Sequence, residues 1–264
     1  MNNVLYLYSK HSNMIYTDRK TAQQLTGLTY IGKVNNSHKH EQAFKYNEMV
    51  YTVYLAPAKS SGYEVCPMRT PECTMMCLNE SGRNRINVDN SMNKTRIKKT
   101  RLFFEEREFF MRWMIDEIKI AKKKAQDLGY RFSIRLNNTS DISPESFYIN
   151  DNGTIKNVLQ LFPDVMFYDY TKVPKRVEVA DKYPNYDITF SFSGFNMDVC
   201  LDMLKRNIRV AMVFKTVPET FLGYQVIPGD DYDMRYLDKT DVIVGLKFKK
   251  VRNKLTSDNK FVIQ

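Results

Sequence analysis

The chain has 264 residues, 43% of them hydrophobic and 13% aromatic, and carries 40 Lys and Arg against 30 Asp and Glu for a formal charge of +10. That length buries a core without disulfide support, and this apolar content excludes a disordered chain. No apolar run reaches the roughly 20 residues of a membrane span. The stretch "MNNVLYLYSKHSNM" also lacks the charged and apolar regions of a signal peptide, so a reducing cytosol and no membrane are expected.

Residues 1–60 read as short strands and turns, with "NVLYLYS" and "EMVYTVYLAPA" the β-branched and aromatic runs. The segment "VCPMRTPECTMMCLNESGRNR" follows as an irregular loop, because Pro67 and Pro71 discourage helix. One long helix is predicted over 90–128. Its apolar face is Leu102, Phe103, Phe109, Phe110, Trp113, Met114, Ile118 and Ala121, at three- and four-residue steps. Gly129 is its predicted stop. From Tyr130 onward "YRFSIRLN", "VMFYDYT", "YDITFSFS", "IRVAMVF", "YQVIPGD" and "DVIVGLKF" read as strands. Between them "SPESFYINDNGTIKNVLQLFP" and "NMDVCLDMLKRN" read as wholly or partly helical.

This interleaving predicts a single α/β domain over 1–264, built on a mostly parallel sheet or a partial (β/α) barrel. Residues 1–60 form a strand-rich N-terminal elaboration in that reading. Residues 61–101 form a cysteine loop with a metal site, followed by a basic arm.

Each predicted strand ends in polar residues at its carboxyl side, where the loops of parallel α/β folds converge on one crevice. Arg135, Asp169 and Lys172 are the candidate catalytic groups there, alongside Ser191, Ser193 and Lys215. Asp141 and Ser143 read as caps of a helix beginning near Pro144. "GDDYDMRYLD" lacks the spacing of an EF-hand loop, and predicts an arginine held by neighbouring aspartates.

Cys66, Cys73 and Cys77 are close enough in sequence for three thiolates to face one centre, with Cys200 remote. His11, His38 and His40 share no local spacing with them, and no second cysteine pair is present for zinc. A 4Fe–4S cluster on Cys66, Cys73, Cys77 and Cys200 is therefore expected ahead of zinc. With Cys200 as ligand the cluster is closed by protein. Without it one iron stays open, as in enzymes that bind S-adenosylmethionine. Cys200 also reads as a small buried hydrophobe beside Val199 and Leu204.

Arg83, Arg85, Lys94, Arg96, Lys98, Lys99 and Arg101 follow the cysteine loop with Asp89 as their single acid. Such a stretch tracks a phosphate backbone, and Tyr63, Phe103 and Phe104 are placed to stack on unpaired bases. A merely solvated helical face is the other reading.

The stretches "LAPAKSSGYEVCPMRTPECTMMCLNESGRNR", "KTRLFFEEREFF", "RLNNTSDI", "FYDYTKVPKR", "ITFSFSGFN", "VAMVF", "VIPGDDYDMRYLD" and "VIVGLKFK" resemble the bacteriophage family catalogued as gene product eighty-eight, over about residues 55–250. The resemblance implies a phage origin and a role in the cytoplasm of the infected cell; it supplies no reaction. The layout is also similar to a partial radical-SAM barrel, although the three-then-two-residue cysteine spacing of that superfamily is absent. The leading expectation is an iron–sulfur protein that binds nucleic acid, single-stranded DNA in particular, through a basic surface braced by the cluster. A radical-SAM-type enzyme and a zinc-braced inhibitor of a host factor are the alternatives.

Overall fold

Runs of β-branched and aromatic residues set the strands, and a computed structural model describes residues 14–35, 37–77, 91–249 and 259–264. Helix α1 (Arg19–Thr26) starts on Asp18, whose carboxylate accepts from the Thr21 amide, and ends at Gly27 in the left-handed region at φ 66°. Strand β1 (Gly32–Val34), helix α2 (His38–Gln42) and a 3-10 turn (Ala43–Tyr46) lead into β2 (Glu48–Val53). The short α3 (Pro71–Met75) lies in the cysteine segment, ahead of α4 (Ser91–Glu105), α5 (Arg107–Asp127) and β3 (Arg131–Arg135). A 3-10 turn (Pro144–Ser146), β4 (Tyr148–Asp151), β5 (Thr154–Asn157) and α6 (Val158–Leu161) precede β6 (Met166–Thr171). Then come α7 (Pro174–Ala180), β7 (Tyr186–Ser191), α8 (Met197–Lys205) and β8 (Val210–Phe214). The last elements are β9 (Thr220–Phe221), β10 (Tyr224–Pro228), a 3-10 turn (Arg235–Leu237), β11 (Ile243–Lys247) and β12 (Val262–Ile263).

The central sheet has the order β1-β2-β3-β6-β7-β8-β11-β10-β9, with β12 beside β8. Every neighbouring pair from β2 to β10 is parallel, while β1 and β9 pair antiparallel at the edges. The fold is therefore mixed α/β with a mostly parallel sheet. From β2 to β8 the parallel strands lie side by side in chain order, so each connection has to cross back over the sheet. The crossing helices meet in one core: Trp113 and Ile118 of α5, Leu159 of α6, Val177 of α7 and Leu204 of α8 pack with Val53, Ile134, Phe167, Ile188, Phe190 and Met212. The alternate strand residues point the other way, and there Val50 and Tyr168 pack against Ala43 and Met234.

The eight predicted apolar helix residues all enter the core, and Gly129 ends α5 at φ 75°. The predicted single helix is nevertheless two, because the backbone at Glu106 leaves helical geometry at φ −130°, ψ 55°. The ladder barely parts: the Glu106 amide still donates to the Leu102 carbonyl and that of Phe110 to Glu106.

Three other expectations change. The "NVLYLYS" run lies outside the described residues. "EMVYTVYLAPA" supplies β2, which pairs with β3 and is an integral strand of the central sheet, while α1 and α2 occupy stretches read as turns. The segment after Pro144, expected to be wholly or partly helical, is helical at the 3-10 turn and α6 and between them holds the β4–β5 hairpin. Its turn is Asn152-Gly153, at φ 51° and 86°, a pairing that favours hairpins because both residues tolerate positive φ.

Gly32 has no room for a side chain: a Cβ there would sit 2.2 Å from the Tyr51 ring. That ring is 1% exposed and its hydroxyl donates to Glu117 at 2.8 Å, so it has nowhere to swing. Gly32→Ala should lower stability by about 1–3 kcal/mol in urea unfolding. An unchanged midpoint would show that the ring yields freely.

Candidate metal centre at the strand-end crevice

The cysteine loop is laid across the carboxyl ends of the strands by a few specific bonds. After β2 the chain turns through Ala58 at φ 52°, and the Val65 amide returns to the Ala58 carbonyl. The Asp141 amide donates to the Val65 carbonyl at 2.6 Å. Cys66 Sγ lies 3.8 Å from the Thr139 carbonyl oxygen, just past the end of β3. Thr70 caps α3 by accepting from the Cys73 amide, and its hydroxyl donates to the Ser193 carbonyl beyond β7 at 2.8 Å. Met76 packs on Val262, with Val213, Phe248 and Phe261 around the end of β8.

Lys172, directly after β6, lies under this loop. Burial works against its ammonium, but the nearby Cys73, Asp141, Cys66 and Cys77 outweigh that and raise its pKa. Cys66 is pushed up to about 12, mostly by burial, with Cys77 adding and Lys172 opposing. Arg96 feels Cys77, and Arg69, held to Glu64 at 3.0 Å, feels Cys66 and Cys73. The structure thus brings Cys66, Cys73, Cys77 and Lys172 into one electrostatic neighbourhood. None of the four cysteines forms a disulfide. Among the described residues, no three His, Cys, Asp or Glu side chains are close enough to hold a single metal ion.

Cys200 differs from the other three. It is 0% exposed, in the helix-side core with Met203 and Leu204. Its thiol is pushed up to about 12, first by burial and then by Asp198, with Lys172 again opposing.

Arg176, on α7, ties together the polar residues around the carboxyl ends of β3 and β6. Its guanidinium donates to Asp141 at 2.6 Å, Glu145 at 3.2 Å and Asp169 at 3.4 Å, and it also contacts the Tyr186 hydroxyl. Burial opposes this charge, but Tyr186 and the three acids hold it firmly protonated. Asp141 is therefore no helix cap: its carboxylate accepts from Thr171 Oγ1, the Lys172 amide and Arg176. Ser143 makes no capping bond either. Asp169 accepts from the Asn137 amide and side chain, both at 2.9 Å. Nothing in the sequence singled out Arg176, since its partners stand 35, 31 and 7 positions away.

The three candidate catalytic residues do not form one constellation. Asp169 faces the helices and Arg176, and Lys172 faces the cysteines. Arg135 lies on the opposite face, bonded to Asp233 at 2.5 Å and stacked 4.7 Å over the Tyr170 ring. Asp233 also takes Lys39 at 3.1 Å and faces His40 at 3.5 Å. The expected pairing of arginine with neighbouring aspartate occurs between Arg235 and Asp238, at 3.1 Å.

Of the predicted basic arm, Arg83 and Arg85 lie outside the described residues. Lys94, Lys98 and Arg101 are exposed on α4 at i, i+4 and i+7, so they form one stripe. Arg96 packs 5.0 Å over the Tyr54 ring. Lys99 turns inward: it is 4% exposed, 4.1 Å over the Tyr30 ring. Burial pulls its pKa down to about 7. The expected base-stacking aromatics are occupied internally, Tyr63 lying flat on Phe104 at 4.5 Å and Phe103 being 1% exposed.

Replacing Arg176 by Met should cost about 3–5 kcal/mol at pH 7, because three buried acids lose their cation. Glu145, whose carboxyl burial already pushes up against the pull of Arg176, then rises further in the fold. The deficit in chemical denaturation should therefore narrow as pH falls toward 5, and a deficit independent of pH would refute that origin. Lys99 acts in the opposite range. Its folded pKa lies below the ordinary 10.5, so from about pH 7 to 10 the unfolded chain holds a proton that the fold excludes, and stability rises with pH there. Lys99→Met should flatten that rise, as read from unfolding curves at several pH values.

No curated protein matches the chain, and no solved structure does. A family model described as Gene product 88 matches residues 17–264, a longer span than the 55–250 stretch that carries the resemblance in sequence, and it takes in α1 and β12. The chain belongs to the Gene product 88 family.

Proposed function

We propose that this is a phage iron–sulfur protein of the host cytoplasm, with Cys66, Cys73 and Cys77 as thiolate ligands of a four-iron cluster at the carboxyl-end crevice of a partial (β/α) barrel. One observation carries the reading: the loop that bears three thiols lies across the ends of β3, β6 and β7, with Cys66 Sγ 3.8 Å from the Thr139 carbonyl, Thr70 bonded to the Ser193 carbonyl and the Lys172 ammonium in the field of all three thiols. That end is the working face of parallel folds. Thiolates bring negative charge, and Lys172, Arg69 and Arg96 supply the opposite charge. Cys200, 0% exposed on the helix side, favours a three-thiolate set with one iron open to the crevice. The enzymatic, radical-SAM-type reading is then preferred to a purely structural cluster, with S-adenosylmethionine as the co-substrate.

Anaerobically purified protein should be brown and carry about four irons per chain. Cys66→Ala, Cys73→Ala and Cys77→Ala should each lose most of that iron, while Cys200→Ala keeps it. Zinc in a colourless protein would overturn the cluster. Loss of iron in Cys200→Ala would make the cluster a closed brace, and a reduced protein that fails to cleave S-adenosylmethionine would remove the enzymatic reading.

Nucleic-acid binding is the second reading, favoured by the exposed stripe Lys94, Lys98 and Arg101 beside the cysteine loop. Changing all three to Glu should weaken binding to a single-stranded oligonucleotide and reduce the slope of log affinity against log salt by about 2. Affinity that stays flat between low and moderate salt would reject it.

A further inference from the structure

We infer that the sheet face turned away from the helices carries a binding site for an oxyanion, the phosphate or carboxylate group of a small molecule, formed by Arg135, Tyr170 and Thr189. The three are neighbours across β3, β6 and β7. Arg135 Cζ lies 4.7 Å from the Tyr170 ring centre, and Tyr170 stands opposite Thr189 in the β6–β7 register. Each holds a polar atom out of solvent with no hydrogen-bond partner: Arg135 Nε, Tyr170 Oη and Thr189 Oγ1, with Tyr168 Oη on the same strand face. Arg135 is 8% exposed and Thr189 0%.

Unpaired buried polar groups are rare because they forfeit hydration and gain nothing in return. If packing were the whole purpose, Phe, Phe and Val at positions 168, 170 and 189 would fill the same space without that cost. All four orphaned atoms are able to donate, and the arginine Nε can do nothing else. Arg135, Tyr170 and Thr189 thus present unbonded donors on three neighbouring strands, which suits a negative group, while the unpaired carboxylate oxygens of this face, on Asp187 and Asp238, belong to residues already held by Arg209 and Arg235.

Asp233 takes Arg135 Nη1 and Lys39, and Lys39 also lies 3.9 Å from Asp230. His40 faces the same carboxylate, and burial holds it toward the neutral form. The adjacent pairs Arg235–Asp238 and Arg209–Asp187 are each balanced.

Tyr170 is partly exposed at the carboxyl end of β6, so solvent reaches the row from that edge of the sheet. Tyr54 connects it to the cysteine side: its hydroxyl lies in the fields of Arg135, Asp233 and Arg96, and Arg96 in that of Cys77. The site does not require the cluster, because none of its groups is a cysteine.

The test is calorimetric titration of the full chain with inorganic phosphate and, separately, with acetate, at constant ionic strength set by chloride. Saturable binding of at least one anion is expected. Phosphate binding the tighter indicates a phosphoryl-bearing ligand, and acetate the tighter a carboxylate. Tyr170→Phe and Thr189→Val remove hydroxyls that have no hydrogen-bond partner within the protein. Each should leave its melting temperature unchanged or higher while weakening the preferred anion at least tenfold, and Lys156→Gln, on the exposed hairpin, should change neither. The inference fails if neither anion binds saturably, or if both variants bind as the parent does.

Discussion

The carboxyl end of the sheet depends on one buried cation shared among three buried acids. Arg176 reaches Asp141, Glu145 and Asp169 from α7 because a guanidinium presents its donors as a planar fork, a geometry no lysine supplies. Asp141 passes this restraint on. Its carboxylate fixes the Lys172 amide, and its own amide holds the Val65 carbonyl one residue before Cys66. The cation opposite the thiols and the backbone that carries the first thiol are thus set by the same aspartate. Glu145 has its pKa raised by burial against the pull of Arg176, which eases the excess of negative charge such a cluster would otherwise hold.

Much of the fold was legible because burial writes itself as periodicity. β3, β6, β7, β8, β10 and β11 fall within the six apolar runs read as strands, and the face of α4 and α5 follows the three-and-four spacing of their buried residues. The Asn152-Gly153 turn is equally visible, yet the segment reads as wholly or partly helical; α6 bears out the helical part, and the hairpin is what that reading misses. The break at Glu106 had no marker, since neither Pro nor Gly stands there. The site was legible only in part. Clustered cysteines announce a shared role by proximity in sequence, whereas Arg176, Asp141 and Asp233 owe theirs to contacts across tens to nearly 100 residues.

Charge counted along the sequence also proved a poor guide to charge available at the surface. Lys99 and Arg96 sit in the most basic stretch of the chain, yet one lies over Tyr30 and the other over Tyr54. Helical phase explains the split, because positions 94, 98 and 101 share the solvent side of α4 while 99 and 103 face the core. The net charge of +10 therefore overstates what a polyanion would meet along this helix.

The parallel sheet separates two kinds of chemistry by alternation alone. On β6, Phe167, Asp169 and Thr171 turn toward the helices while Tyr168 and Tyr170 turn away. On the helix side of β6 the polar groups have partners, Asp169 with Arg176 and Asn137 and Thr171 with Asp141. The opposite side leaves Arg135, Tyr168, Tyr170 and Thr189 each with a polar atom unpaired. Structural polarity is satisfied polarity, since a fold gains nothing by burying a donor without an acceptor. The contrast between the two faces of a single strand locates functional polarity on the side away from the helices, at the same carboxyl-end rim that the cysteine loop covers.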